Sequence, residues 1–245
     1  MSPSPGSYNS PVDTWTSAFA SVQTALTATE AALKPGSRGA AATTFALIRP
    51  PGHHATTSLC GGYCYLNNVI ICASHFLRHD QNLKCTIIDV DFHHGNGVEE
   101  ILSRSKKQNE GDWKERVKYI SLHAHPDYPY YTTHLPSGLP KTVTATQYLE
   151  ILLENLNAAE SWCGTGEENL VLVSLGLDTF FEDPIGGFAG FTEMEDYEQV
   201  GAVIGTFVHA VKGHCAFLLE GGYVVEKLGK CVEAVFRGYM HALRK

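Results

Sequence analysis

The chain has 245 residues, 44% of them hydrophobic and 18% charged, enough to bury a core as a soluble globular protein of one large domain or at most two. Its formal net charge of −8 argues against direct nucleic-acid binding and is compatible with a cationic substrate, although mild acidity is ordinary. Seven cysteines without a CxxC pair read as reduced thiols of a cytoplasmic protein, and neither a signal peptide nor a membrane-length apolar run is present.

In chain order, residues 1–12 are rich in Ser, Pro and Gly and read as a loose tail, leaving 13–245 as a single domain. Asp13 or Thr14 can cap a helix reaching Leu33, which the KPG at Lys34 to Gly36 stops. Short apolar runs come next at Thr44 to Ile48, Cys85 to Val90, Val117 to Leu122, Leu170 to Leu175 and Cys215 to Glu220. Helical patterns separate or succeed them at Leu66 to His79, Thr144 to Trp162, Glu195 to Val211 and Val225 to Leu243. Nearly continuous apolar strands alternating with helices predict a three-layer α/β/α fold with a mostly parallel central sheet. The polar stretch Ser103 to Arg116 reads as a surface excursion.

In a parallel sheet, ligands gather beyond the carboxyl ends of the strands. The five strands here run into RPPGHHA, DFHHGNG, HAHPDYPYY, GLDTFFEDP and GGY, so one shared site is the economical reading. If the backbone stays extended from Asp89 to His93, Asp89, Asp91 and His93 share one face, a comb able to grip a divalent cation. Asp178 is the best third ligand, and three protein ligands would leave a position open, as catalytic zinc requires. The competing reading makes Asp91 and Asp178 caps of the turns after them. His53 and His54, on a loop stiffened by two prolines, read equally as proton shuttles, metal ligands or loop residues. Tyr223 could donate to a developing oxyanion or simply pack. Tyr63, Tyr128, Tyr130 and Tyr131 could wall a channel or belong to the core, and Asp127, Glu182 and Asp183 are placed at its mouth.

RPPGHHA, GGYCYLNN, DVDFHHGNG, SLHAHPDYPYY, SLGLDTFFEDP and LEGGY, in this order and spacing, resemble the histone deacetylase superfamily, especially its class II-like and bacterial acetylpolyamine amidohydrolase branches. The resemblance runs from Arg49 to the C-terminus and implies the arginase/deacetylase-like fold. It implies one zinc ion bound by Asp91, His93 and Asp178, with His54 as general base and acid, His53 as its electrostatic partner and Tyr223 as the donor that polarises the carbonyl. Asp89 would support His53 and Asn96 would support His54. A structural potassium ion would be held by Asp89, Asp91, His93, Ser121 and Leu122. Gly62, Tyr63, Tyr128, Tyr130 and Tyr131 would line a tunnel for an acylated amine, either acetyl-lysine or an acetylpolyamine, released as acetate and free amine.

Two departures from the family pattern stand out. Only 48 residues precede Arg49, so the rim is expected to be incomplete or built differently, and a homo-oligomer is compatible with that. Tyr63 stands where phenylalanine is common. Of the competing functions, a binuclear ureohydrolase is disfavoured because Gly176 occupies a position where that group carries a carboxylate. A catalytically weak acyl-amine-binding protein stays open on the short N-terminus and is opposed by the complete ligand set.

Overall fold

The structure is a computed structural model, and it describes residues 11–34, 43–104, 112–128, 138–164 and 168–244. Helix α1 (Pro11–Leu33) is followed by β1 (Thr43–Ala46), α2 (Asn68–His79), β2 (Leu83–Asp89) and α3 (Asn96–Ser103). A 3-10 turn at Trp113–Arg116 leads into β3 (Val117–Ser121), and β4 (His123–Ala124) pairs with β5 (Gly138–Leu139) in a separate small sheet. Then come α4 (Ala145–Cys163), β6 (Glu168–Leu175), α5 (Met194–Ala210), β7 (His214–Leu219) and α6 (Val225–Ala242).

The main sheet is parallel throughout, in the order β1-β7-β6-β2-β3. Side chains alternate across a strand with a period of two, and both faces here are covered. On β6, Leu170 and Leu172 enter a core shared with Ala25 and Ala32 of α1, Val69 and Leu77 of α2, and Val98 of α3. Val171, Val173 and Leu175 enter the opposite core, with Leu152 of α4, Ile204 of α5 and Val235 of α6. This is the expected three-layer α/β/α architecture, built on one sheet.

Several helix boundaries arise from local chemistry. Asn67 starts α2 by accepting the N–H of Ile70 at 3.1 Å. Thr144 starts α4 through a capping box: its hydroxyl accepts the Gln147 N–H at 3.2 Å, and the Gln147 side chain accepts the Thr144 N–H at 3.1 Å.

The structure departs from the sequence reading at several elements. Pro11 and Val12, assigned to the tail, already belong to α1. Helix α3 begins directly after the histidine-rich turn, where no helix was expected. The end of the presumed surface excursion is anchored: Trp113 is buried, and the Arg116 guanidinium donates to the carbonyls of Leu77, Asp80 and Leu83. That cation closes the C-terminal end of α2, where unpaired carbonyls collect.

The strand order fixes where a site can form. From β2 the chain moves through α3 to β3 on one side, and from β6 through α5 to β7 on the other. Because β2 and β6 are neighbours, with Asp89 opposite Ser174, the crevice of the fold opens at their carboxyl ends.

Candidate active site and metal centre

Beyond Asp89 the strand does not continue as an extended comb. Residues 91–93 turn instead, and the turn is written in the aspartates: Asp89 Oδ1 accepts the Asp91 N–H at 3.2 Å, and Asp91 Oδ1 accepts the His93 N–H at 2.9 Å. The correction changes the distribution of side chains. Asp89 faces the histidine loop, while Asp91 and His93 converge on Asp178, which lies just beyond β6. Phe92 goes into the core, and His94 stacks on His123 with ring centres 4.4 Å apart.

Potential ligand atoms of Asp91, His93 and Asp178 all lie within 4.8 Å of one another, and all three residues are buried. His93 Nδ1 stands 2.8 Å from Asp178 Oδ2 and 3.3 Å from Asp91 Oδ1. The remaining oxygens are fixed by backbone: Gly221 N–H donates to Asp91 Oδ2 at 2.9 Å, and Phe92 N–H to Asp178 Oδ1 at 3.0 Å. The capping and ligand readings of these aspartates are therefore compatible: Asp178 takes an N–H on Oδ1 and turns Oδ2 to the cluster, while Asp91 takes an N–H on each oxygen and still presents Oδ1 to the His93 ring.

Burial opposes charge on all three residues, and their mutual contacts decide the outcome. His93 is held up at about 10, since the bonds to Asp178 and Asp91 outweigh its burial. Asp178 is pushed up to about 7 by burial and by the charge of Asp91. Two oxygen donors and one imidazole nitrogen suit a divalent ion such as zinc, and three protein donors leave a further coordination position. Glycine makes this packing feasible. A Cβ at Gly221 would lie 2.6 Å from Asp178 Oδ2, and one at Gly176 would overlap Asp91 Oδ2.

His53 and His54 sit beside the cluster with ring centres 4.0 Å apart, both buried. His53 Nδ1 pairs with Asp89 Oδ2 at 3.1 Å, and its Nε2 lies 3.7 Å from Asp91 Oδ1. His54 Nδ1 meets Asn96 Oδ1 at 2.7 Å. Their environments separate them. Burial works against a charged His53, but Asp91 and Asp89 carry its pKa well above 6.5. Burial and the adjacent charge of His53 push His54 well below 6.5, against the pull of Asp91 and Asn96. The pair is thus split, with His54 the one pushed toward the neutral imidazole.

Above the cluster, Tyr128 sets its ring edge-on to His54, with centres 5.0 Å apart, and lies 6.4 Å from His93. Gly62 packs its backbone against the His54 ring: its φ is +50°, and a Cβ there would collide with His54 Cδ2. Tyr63, at φ 65°, is 62% exposed and meets the Tyr223 ring at 5.8 Å. Burial, Asp91 and Asp178 raise the Tyr223 phenol, keeping it a proton-bearing donor. Tyr130 and Tyr131 lie outside the described residues.

Of the acids placed at the mouth, Glu182 is exposed. Asp127 is paired with Lys141 at 2.5 Å. Asp183 is buried instead: its Oδ1 accepts the N–H groups of Ile185 and Gly186, and its Oδ2 accepts that of Tyr223 at 2.8 Å. A carboxylate just before Pro184 and close to Gly186 is better suited to organising a turn than to facing solvent.

Sequence reasoning missed two contributors. Tyr119 donates to Asp89 Oδ2 at 3.0 Å. Glu220, buried at the end of β7, accepts the backbone N–H groups of Gly52 and His53. Its signal was available, since an acid closing the apolar run CAFLL stands as Asp89 does after CTII.

Fold and geometry define a class: a parallel α/β protein whose strand-end crevice holds a buried Asp–His–Asp group able to take one metal ion. The histone deacetylase domain matches residues 6–239, and the chain belongs to that family. It is similar to acetylpolyamine amidohydrolase 1 of Pseudomonas aeruginosa, at 34% identity over 244 residues, covering 94% of this chain and 64% of the relative. The acetylpolyamine amidohydrolase of Mycoplana ramosa is also 34% identical, with 92% of this chain and 63% of the relative covered. Among solved structures, an acetylpolyamine aminohydrolase from Burkholderia pseudomallei superposes with a TM-score of 0.77 at 26% identity, covering 93% of this chain and 64% of that one. The chain thus spans a little under two thirds of the length of these relatives.

Proposed function

We propose that this chain forms a single catalytic domain, residues 13–245, of a zinc-dependent amide hydrolase that removes an acetyl group from an N-acetylated amine. The observation that carries the reading is the buried convergence of Asp91, His93 and Asp178 beside the adjacent rings of His53 and His54. Asp91, His93 and Asp178 would hold the ion. Bound there, zinc supplies Lewis acidity, polarising a carbonyl and making water easier to deprotonate.

The residues divide the remaining work. Tyr223 donates a hydrogen bond to the carbonyl oxygen as negative charge develops on it. His54, kept neutral by burial and the charge of His53 and aligned by its bond to Asn96, takes a proton from the attacking water. It returns that proton to the amine nitrogen as the C–N bond breaks, giving acetate and amine. His53, charged against Asp89 and Asp91, offsets the negative charge of the site. Gly62, Tyr63 and Tyr128, with Tyr130 and Tyr131 as proposed partners, admit a slender acyl-amine.

We further assign a potassium ion to Asp89, Asp91, His93, Ser121 and Leu122. Support comes from the pairing of Asp89 with Ser121 across β2 and β3, and from the bond of Leu122 N–H to the Asp89 carbonyl. A single catalytic metal is favoured over a pair, since any side chain at 176 would have to displace Asp91. No described helix is long and apolar enough to cross a membrane. The cytoplasmic assignment rests on seven free cysteines, six of them buried.

The test is acetate release by the zinc-loaded chain from a panel of acetylpolyamines and acetyl-lysine peptides, with Tyr223→Phe as control. Zinc-dependent release is expected. Its absence across the panel sinks the assignment.

A further inference from the structure

The loop carrying His53 and His54 lies between β1 and α2, outside any helix or strand, so its conformation is set by what its backbone binds. One side is held by α1 and α2. Ser21 Oγ donates to the Pro50 carbonyl at 2.8 Å, Asn68 Nδ2 donates to the same oxygen at 3.3 Å, and Asn67 Nδ2 donates to the Ala55 carbonyl at 2.9 Å. The start of α3 holds the middle, where Gly97 N–H donates to the His53 carbonyl at 3.1 Å. All of these contacts satisfy carbonyls. The N–H groups of Gly52 and His53 go instead to one carboxylate oxygen, Glu220 Oε2, at 2.7 and 3.2 Å. The other oxygen of Glu220 accepts the Ser174 hydroxyl at 3.4 Å.

Glu220 also begins a segment with several duties. Its neighbour Gly221 donates to Asp91 Oδ2, and Tyr223 comes two residues later. We propose that Glu220 is a positioning residue: by gathering the Gly52 and His53 N–H groups, it holds the histidine pair in register with the metal ligands and Tyr223. The inference rests on the roles given above to His54 and Tyr223. Four consecutive residues at one strand end thereby align three parts of the site that are far apart in sequence. Removing the carboxylate would strand two buried donors and loosen the loop locally, leaving the β2–β6 floor intact. Glutamine would serve nearly as well, because its carbonyl can take both N–H groups while its amide donates to Ser174.

The experiment compares wild type, Glu220→Ala and Glu220→Gln in the full chain. Amide exchange at residues 52 and 53 is followed by NMR, and kcat and KM are measured for an acetylated polyamine with zinc bound. Glu220→Ala should speed exchange at those two amides by roughly tenfold or more, with β2 and β6 still protected. Its kcat should fall by about ten- to a hundredfold at a KM within about twofold of wild type. Glu220→Gln should restore both readouts most of the way. Unchanged exchange at residues 52 and 53, exchange accelerated evenly through the sheet, or a Gln variant as impaired as Ala would each overturn the proposal. If the Ala variant does not fold, Glu220→Asp, one methylene too short to reach the loop, carries the same two readouts. A wild type that releases no acetate overturns the catalytic reading alone, and the exchange data still decide the role of Glu220.

Discussion

At the floor of the site, Asp89, Asp91 and Asp178 each have at least two polar partners and are sealed from solvent, and His93 is buried beside them. At the mouth, Tyr63 is 62% exposed, and Tyr63, Tyr128 and Tyr223 meet their neighbours as rings at 5 to 6 Å. The floor is over-determined because buried charge is tolerated only when every oxygen is engaged. The mouth is set by apolar contact and by backbone anchors, such as Asp183 on the Tyr223 N–H and Asp127 on the Tyr128 N–H at 2.7 Å. Floor substitutions should therefore remove the metal, whereas mouth substitutions should alter turnover or affinity with the metal retained.

The largest effect is expected from Asp178→Ala. Metal analysis of the purified variant should show zinc at background, acetate release should be lost, and added zinc should no longer raise Tm. For wild type at a hundred times Kd, zinc should add about 2.7 kcal/mol of stability. Full zinc occupancy in the variant would break the distinction at once. His54→Ala comes next: kcat should drop by roughly 10² to 10⁴ with zinc content unchanged, since His54 lies beside the ligand set without belonging to it.

Tyr223→Phe should lower kcat by about 10² to 10³ while zinc content and Tm hold. Loss of zinc in this variant would place the tyrosine with the floor. The smallest effect is predicted for Lys141→Ala, which frees Asp127 beneath Tyr128. KM should rise a few-fold at constant kcat, with stability changed by no more than about 1 kcal/mol. A collapse of kcat there would show that the mouth is as tightly specified as the floor.

Legibility in the sequence divides along the same line. The β2 run CTIIDV and the β6 run LVLVSL announce themselves because a strand buried on both faces must be apolar along its whole length. Asp91, His93 and Asp178 were legible because ionisable residues at the ends of such strands have few purely structural uses. The turn at residues 91–93 was not, since it depends on aspartate side chains bonding their own backbone, which period-two alternation does not register. Helix α3 was hidden by its shortness and by glycines that read as loop. Asp183 was assigned to the mouth because linear sequence does not say which way a loop acid turns. Glu220 and Tyr119 escaped for another reason: the partners of Glu220 lie more than a hundred residues away and that of Tyr119 on a neighbouring strand, so even where a local pattern marks the residue, as the acid closing CAFLL does, it does not name the partner.

The pairing of Asp89 with Ser174 has a consequence for when the proposed metal site can form. Asp178 reaches His93 across 85 positions of sequence, and it does so only when β6 has docked alongside β2. Such a contact forms after the loop-closure entropy of the intervening chain has been overcome. An ion held there could not therefore template early folding in the way a zinc finger is templated. Under the proposed assignment, zinc capture would be a late report that the central sheet is assembled, and a kinetic trace of its uptake should lag behind strand burial.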